Sequence, residues 1–141
     1  MSPGPEIAFR CACGAEALAG IDGRGHCPAC GAIRELALTP SLRAALVVDR
    51  CPACDGEQLY VQRDFNQKAG IALIGLAALP ALLYGNYWPL VVAALVDALL
   101  YALVPEITVC YRCHAHFRGF ARNPKHAPFD LHLAEQYEIR R

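Results

Sequence analysis

The sequence predicts a small α+β membrane protein: short antiparallel strands around two clusters of four cysteines, with a two-helix transmembrane hairpin inserted between the halves of the second cluster. Three observations carry this reading. The eight cysteines all fall in close pairs. Residues 69–104 hold a single charged side chain, Asp97. The 141-residue chain is 55% hydrophobic and 18% charged, with a mean hydropathy of +0.26, against roughly 25% charged residues in soluble domains. That length allows one domain or two very small ones. Thirteen basic residues balance thirteen acidic ones, so no overall charge points to a nucleic-acid or anionic partner.

The cysteine pairs are Cys11/Cys13, Cys27/Cys30, Cys51/Cys54 and Cys110/Cys113, three C-x-x-C and one C-x-C. Secreted disulfide domains also use even counts, but so short a loop strains a bridge between neighbours. The opening MSPGPEIAFRCACG shows no basic segment followed by an apolar run, so no oxidising compartment is expected. Close pairs in a reducing compartment read as thiolate knuckles for a metal. Two such turns aim four sulfurs at one point and complete a tetrahedron around Zn²⁺. Pro28 and Pro52 stiffen their turns. Gly14 and Gly31 follow the last cysteine of a pair, where positive φ is useful, and Asp55-Gly56 does similar work after Cys54.

In chain order the pairs give two structural Zn²⁺ sites. Cys11, Cys13, Cys27 and Cys30 form the first, around a short hairpin whose turn is expected at Asp22-Gly23-Arg24-Gly25. Cys51, Cys54, Cys110 and Cys113 form the second, with residues 55–109 between its halves. Eight thiolates and two Zn²⁺ add about −4 to a formal charge of zero, which argues against nucleic acid as a partner.

The stretch inside the second site splits at Gly85-Asn86 into AGIALIGLAALPALLY and YWPLVVAALVDALLYALV. Neither half has a polar face at the helical period, so both read as lipid-buried helices. Tyr84, Tyr87 and Trp88 cluster at the turn as interfacial aromatics. Arg63 and Lys68 precede the first helix, and Arg112, Arg118, Arg122 and Lys125 follow the second. Basic ends and an uncharged tip place both ends in the cytoplasm. The metal site imposes the same topology independently, because Cys54 and Cys110 must meet on one side of the bilayer. Lengthening the loop from about 10 to 55 residues costs roughly 1.5 kcal/mol, while a structural zinc contributes on the order of 10–16 kcal/mol. The insertion does not defeat the site.

Within the hairpin, Ala94, Ala98 and Ala102 form a small-residue stripe, and Ala77 and Ala81 a shorter one. Such stripes let membrane helices approach closely. Asp97 costs roughly 2.5–3.5 kcal/mol near mid-helix, offset by the surrounding Leu and Val. It is read as a polar site, either contacting a partner helix or sensing protons, or else neutral and bonded locally to Tyr101.

Around the knuckles, strands are expected at 58–65, 107–111 and 116–120. Thr39-Pro40 reads as an N-cap and N1 proline opening a short helix through Leu46. Residues 130–139 are expected to form an amphipathic helix with Leu133 and Tyr137 on one face, ending at Arg140-Arg141, where the two charges solvate the terminus or meet anionic headgroups. The run Cys110-Tyr111-Arg112-Cys113-His114 matches the C-x-x-C-H pattern of c-type haem attachment. That reading strands Cys51 and Cys54, and the one methionine available as a second axial ligand is Met1. His26 and His114 adjoin ligand cysteines, whereas His116, His126 and His132 have no spacing partner.

At its knuckles the chain resembles the zinc-ribbon superfamily, with FRCACG…HCPACG as one ribbon and DRCPACDG…TVCYRCHAHF as the other. An apolar segment between two C-x-x-C knuckles also resembles the LITAF-like domain, over about residues 49–120. That resemblance implies zinc binding by Cys51, Cys54, Cys110 and Cys113 and membrane insertion of the stretch between them. Here the insert is longer and reads as a two-helix hairpin, and a further ribbon precedes it. The chain is similar as well to small bacterial double-zinc-ribbon membrane proteins. The organisation expected is an N-terminal zinc ribbon at 1–38, a linker with a short helix at 39–50, a second, split ribbon at 51–68 and 105–121, the transmembrane hairpin at 69–104 and a tail at 122–141.

The sequence shows no catalytic serine, histidine and aspartate set, no phosphate-cradling glycine loop and no open three-ligand metal site. The expected function is therefore not enzymatic. It is a membrane-anchored structural zinc-ribbon protein, acting as a protein-interaction module or as a small accessory subunit of a membrane complex. Its partners are the lipid bilayer and another membrane protein, with no small-molecule substrate. Its place is the bacterial inner membrane, with both ribbons cytoplasmic. Alternatives are electron transfer through rubredoxin-like iron or haem at the CYRCH motif, or a membrane-tethered nucleic-acid-binding ribbon.

Overall fold

The computed structural model describes residues 4–139, which form two compact units: the chain up to Gln62 and from Glu106 onward, and the segment Arg63–Pro105. Arg140 and Arg141, read above as solvating the terminus or meeting headgroups, lie outside the described residues.

The first unit is built on strands β1 (Glu6–Arg10), β2 (Glu16–Ala19), β3 (Arg24–His26), β4 (Ile33–Glu35), β5 (Leu59–Arg63), β6 (Glu106–Cys110) and β7 (His116–Arg118). They make one seven-stranded sheet in the order β4-β3-β2-β1-β7-β6-β5. The ladders β1–β2, β2–β3, β3–β4, β1–β7 and β6–β7 are antiparallel. The central pairing sets Ile7 opposite Phe117 and Ala8 opposite His116. It welds strands flanking the first cysteine set to strands flanking the second. Side chains alternate across a strand, so Ile7, Phe9, Ala17, Ala19 and Phe117 share one core, with Cys27, Cys51 and Cys110 inside it.

The expected turn at Asp22-Gly23-Arg24-Gly25 is displaced. The chain reverses at residues 20–23, where the Gly23 N–H donates to the Gly20 carbonyl at 3.2 Å, and Arg24 and Gly25 belong to β3. Gly25 is needed instead under the Phe9 ring, which occupies the space a side chain would take: a Cβ there would lie 2.5 Å from its Cε1 and Cζ. Phe9 is itself buried and cannot swing away. Gly25→Ala is expected to cost about 1–3 kcal/mol by overpacking, read as a lowered denaturation midpoint of the metal-loaded chain. Gly4→Ala, which meets nothing within 4 Å, serves as the control.

Between the sites, helix α1 (Pro40–Ala45) starts as expected: Thr39 is the N-cap, its side chain accepting from the Leu42 N–H, with proline in the first turn. Leu46 closes it in a left-handed conformation. Leu42 is the residue α1 buries. Helix α4 (Leu131–Ile139) half-buries Leu133 and Tyr137 against Tyr60, Ile107, Val109 and Tyr111. The preceding tail is held at residues 48–49. Asn123 Nδ2 donates to the Val48 carbonyl (3.2 Å) and to Asp49 Oδ1 (2.8 Å), and His126 Nε2 lies 2.6 Å from the same carbonyl. A carbonyl only accepts, so His126 carries its proton on Nε2.

The second unit is a helical pair, α2 (Gln67–Tyr84) and α3 (Trp88–Leu103). Asn66 caps α2 by accepting from the Lys68 N–H, and Gly85 ends it at φ 64. Asn86 Oδ1 accepts from the Trp88 N–H at 3.1 Å and opens α3. Pro80 sits inside α2. At the base, the Asp64 N–H donates to the Pro105 carbonyl (3.2 Å). Arg63 Nη1 donates to the Tyr101 carbonyl (2.6 Å), with its guanidinium 4.9 Å from the Tyr101 ring centroid. The Phe65 and Tyr101 rings meet edge to face at 5.7 Å.

Two expectations for the hairpin are corrected. Ala94, Ala98 and Ala102 are exposed, and the residues the pair buries are Gly70, Ala81 and Ala93. Helix rotation sets this, because Ala93 and Asp97 share one face of α3, and that is the face turned inward. Nor does Asp97 bond to Tyr101, whose ring is engaged by Phe65 and Arg63. Asp97 Oδ1 is buried without a hydrogen-bond partner among the described residues, and it lies 3.0 Å from where a Gly70 Cβ would be. Gly70 is the notch that admits the carboxyl group.

Candidate metal centres

Each knuckle is the same backbone device. The N–H of Gly14, Gly31, Asp55 and His114 donates to the carbonyl of Cys11, Cys27, Cys51 and Cys110 respectively, at 2.8–3.0 Å. The N–H of each of those cysteines in turn donates to the carbonyl of Ala15, Ala32, Gly56 and Ala115, at 2.9–3.0 Å. Closing the turn requires a left-handed residue after the last cysteine. Gly14 (φ 89), Gly31 (φ 70), Asp55 (φ 59) and His114 (φ 55) supply it.

In the third knuckle the strained position is thus Asp55 itself. Gly56 matters for its lack of a side chain, since a Cβ there would lie 3.2 Å from Cys54 Sγ and 3.5 Å from Cys110 Sγ. It keeps the sulfurs clear. His114 of the CYRCH run is the turn residue of the fourth knuckle, and histidine is among the residues that tolerate this conformation. His114→Gly is expected to leave metal content unchanged and to alter stability by no more than about 1 kcal/mol in the favourable direction. Metal analysis and thermal unfolding check this.

The knuckles converge in two sets, Cys11, Cys13, Cys27 and Cys30, and Cys51, Cys54, Cys110 and Cys113, with all sulfurs of a set within 4.8 Å of one another. Cross-knuckle distances are 3.7 Å for Cys11–Cys30, 3.6 Å for Cys13–Cys27, 3.5 Å for Cys51–Cys113 and 3.6 Å for Cys54–Cys110. A tetrahedron with metal–sulfur bonds of about 2.3 Å has edges of about 3.8 Å, so both sets fit a tetrahedral ion. All eight thiols are free.

The electrostatics agree. In the first set the Cys30 backbone N–H, followed by that of Ala29 and the Cys13 and Cys30 thiols, brings the Cys27 thiol down to about 7. At Cys30 the Ala32 N–H pulls downward, but the thiols of Cys27, Cys13 and Cys11 outweigh it and push the group up to about 12. In the second set Cys113 and then Cys51 draw Cys110 down. The Cys110 and Cys113 thiols push Cys51 up, and Cys110 pushes Cys113 up to about 12. The thiols of each set thus shift one another strongly, as closely gathered sulfurs do, and a divalent cation at the centre would favour the thiolate form of all four.

The second set has supports that no local pattern announces. Arg34 Nη2 donates to the Ala53 carbonyl at 2.9 Å and Arg112 Nη1 to the Cys54 carbonyl at 3.3 Å. Arg50 bridges Asp55 (3.3 Å) and Glu57 (2.6 Å), exposed pairs worth about 0–1 kcal/mol each. The remaining sites named from the sequence, Asp97 and the aromatics Tyr84, Tyr87 and Trp88, lie in the second unit. There the three aromatics are strongly exposed around the turn.

Comparison of the chain with protein-family models, with curated proteins and with solved structures finds no match. The metal centres therefore rest on their own geometry, which is consistent with zinc-ribbon-like sites.

Proposed function

We propose that this protein is a membrane-anchored structural zinc-ribbon protein whose rigid sheet serves as a protein-interaction module or as a small accessory subunit of a membrane complex. The observation that carries the reading is the inverted surface of the helical pair. It buries glycine and alanine and exposes its large side chains, with Leu76 at 74%, Leu82 at 82% and Leu103 at 72%. Soluble monomers rarely expose so continuous an apolar patch, whereas membrane helices put small residues at their interface and large ones toward lipid.

At eighteen residues, α2 is long and apolar enough to cross a membrane; α3, at sixteen, is shorter. At 1.5 Å per residue they reach about 27 and 24 Å, against a hydrocarbon core of about 30 Å. Tyr84, Tyr87 and Trp88 extend the tip into the interface. Arg63 and Lys68 at the base and no charge at the tip favour a cytoplasmic sheet. Asp97 is the polar site of the hairpin, seated in its glycine notch.

Zinc suits the donor set, since four thiolates around one point is its usual structural site. A closed four-thiolate ion has no vacant position for water, so this reading assigns no catalysis. The partner is a membrane protein that docks on the sheet.

The test places a cysteine at Asn86 in cells and treats them with a membrane-impermeant maleimide. Labelling of Asn86→Cys in intact cells, with the native cysteines unlabelled, is the outcome expected of a spanning hairpin. A chain recovered in the soluble fraction, or labelled only after lysis, would contradict it. Co-purification of a stoichiometric membrane protein from native membranes, together with about two zinc per chain, tests the module itself; a bare monomer would remove the partner.

A further inference from the structure

We propose that the Cys11, Cys13, Cys27 and Cys30 centre is an exchangeable metal site that passes its ion to a competing thiolate or chelating ligand, while the Cys51, Cys54, Cys110 and Cys113 centre retains its own. This rests on the reading above that both sets hold a metal. The two sets have the same donors and nearly the same sulfur spacing, so any difference in behaviour comes from their surroundings, and those differ sharply.

In the first set Cys13 and Cys30 are exposed, Cys11 is half-buried and Cys27 is buried. The tips of both knuckles stand in open space, since a side chain added at Gly14 or Gly31 would meet nothing within 4 Å. An incoming ligand can reach two sulfurs from solvent without moving the core. In the second set no cysteine is exposed: Cys51 and Cys110 are 1% and 0% exposed, and Cys54 and Cys113 are half-buried. Beside the third knuckle a Cβ at Gly56 would lie within 3.7 Å of Cys54, Cys110 and the Arg112 side chain, so that flank of the centre is filled.

Topology points the same way. The first set ties the β1–β2 turn to the β3–β4 turn, and β4 is the exposed edge of the sheet. Opening it frays one edge while β1 stays paired to β7. The second set joins residues 51–54 to residues 110–113 and buries two cysteines, Cys51 and Cys110, in the cluster with Phe117, Ile7 and Val48, to which the first set contributes Cys27 alone. Opening it requires that cluster to come apart. Local openings lie well below global ones in free energy, so ligand exchange at the first set is the faster process.

The step is a ligand substitution with no change of oxidation state. An incoming thiolate would replace the Cys13 or Cys30 sulfur on the ion, and the freed cysteine would take a proton from solvent; replacement of the remaining sulfurs in the same way would complete the transfer.

The experiment uses the full chain loaded with Zn²⁺ in detergent micelles. It is challenged with excess of the chromophoric chelator 4-(2-pyridylazo)resorcinol, quenched at intervals with N-ethylmaleimide, and its alkylated cysteines are mapped by mass spectrometry. The expected result is two phases separated by at least about tenfold in rate, with alkylation in the fast phase confined to Cys11, Cys13, Cys27 and Cys30. Both ions leaving in one phase, or first alkylation at Cys51 or Cys110, would overturn the exchange while leaving two-metal binding intact. Fewer than two ions before the challenge would overturn the two-metal reading, and the exchange with it. A Cys30→Ser chain should keep one slowly released ion; loss of both ions from that variant would also count against the proposal.

Discussion

Serine in place of Cys110 is expected to abolish metal binding at the second centre and to unfold the first unit. Cys110 is fully buried, closes a tetrahedron with Cys51, Cys54 and Cys113, and lies in the core cluster beside Phe117 and Val48. A structural zinc supplies on the order of 10–16 kcal/mol, which equals or exceeds the roughly 5–15 kcal/mol total stability of a typical domain. A serine hydroxyl offers no thiolate at neutral pH, and it leaves three sulfurs facing a smaller polar group in an apolar core. The remaining stability cannot cover the loss. Metal content should fall by at least one ion per chain, and the cooperative thermal transition of the sheet should disappear. Cys13→Ser, at an exposed position, should retain that transition with one ion bound. Equal and mild effects from the two substitutions would show that the second centre does not hold the core together.

Arginine in place of Leu76 carries the next largest effect. Leu76 lies near the middle of α2 and is 74% exposed. In a water-exposed helix such a change is nearly neutral, within about 0.5 kcal/mol. If lipid surrounds the helix, a guanidinium near the bilayer centre costs roughly 2.5–3.5 kcal/mol, so one substitution separates the two environments. The variant is expected to leave the membrane fraction in part and to lose the Asn86→Cys labelling pattern, with both metal ions still bound because their ligands belong to the other unit. Unchanged membrane partitioning of Leu76→Arg would remove the anchor from the proposed function.

The two gatherings of four cysteines were legible because a knuckle is a local object. Two cysteines within four residues and a residue able to take positive φ suffice to define it, and the sequence states all of these for Cys27-Pro28-Ala29-Cys30-Gly31. Asp55 and His114 are harder to read. Both adopt the left-handed conformation without being glycine, and the adjacent Gly56 and the haem-like spacing draw attention elsewhere. The helical segments were equally plain, since an uninterrupted apolar run needs no partner to be recognised. Ala81, from the shorter stripe, does turn inward, but which face of α3 does so was not plain. The alanines at 94, 98 and 102 have the right spacing for an interface, yet Gly70, Ala81 and Ala93 occupy it, because rotation about a helix axis is fixed by the other helix.

The chemistry of this protein can be read straight off its residues: eight thiols in four knuckles, two apolar helices around a Gly-Asn turn, and a capped short helix at Thr39. Spacing, hydropathy and capping act over a few residues and leave their mark there. The pairing of β1 with β7, which puts both metal centres on one sheet and in one core, emerges only when the chain is folded. So do the Phe9 ring over Gly25, the Asp97 carboxyl in the Gly70 notch, and Arg34 and Arg112 on the carbonyls of the third knuckle. Each of these joins residues far apart in the chain. Such contacts depend on which surfaces remain unburied once the local elements have formed, and no window of sequence records that competition.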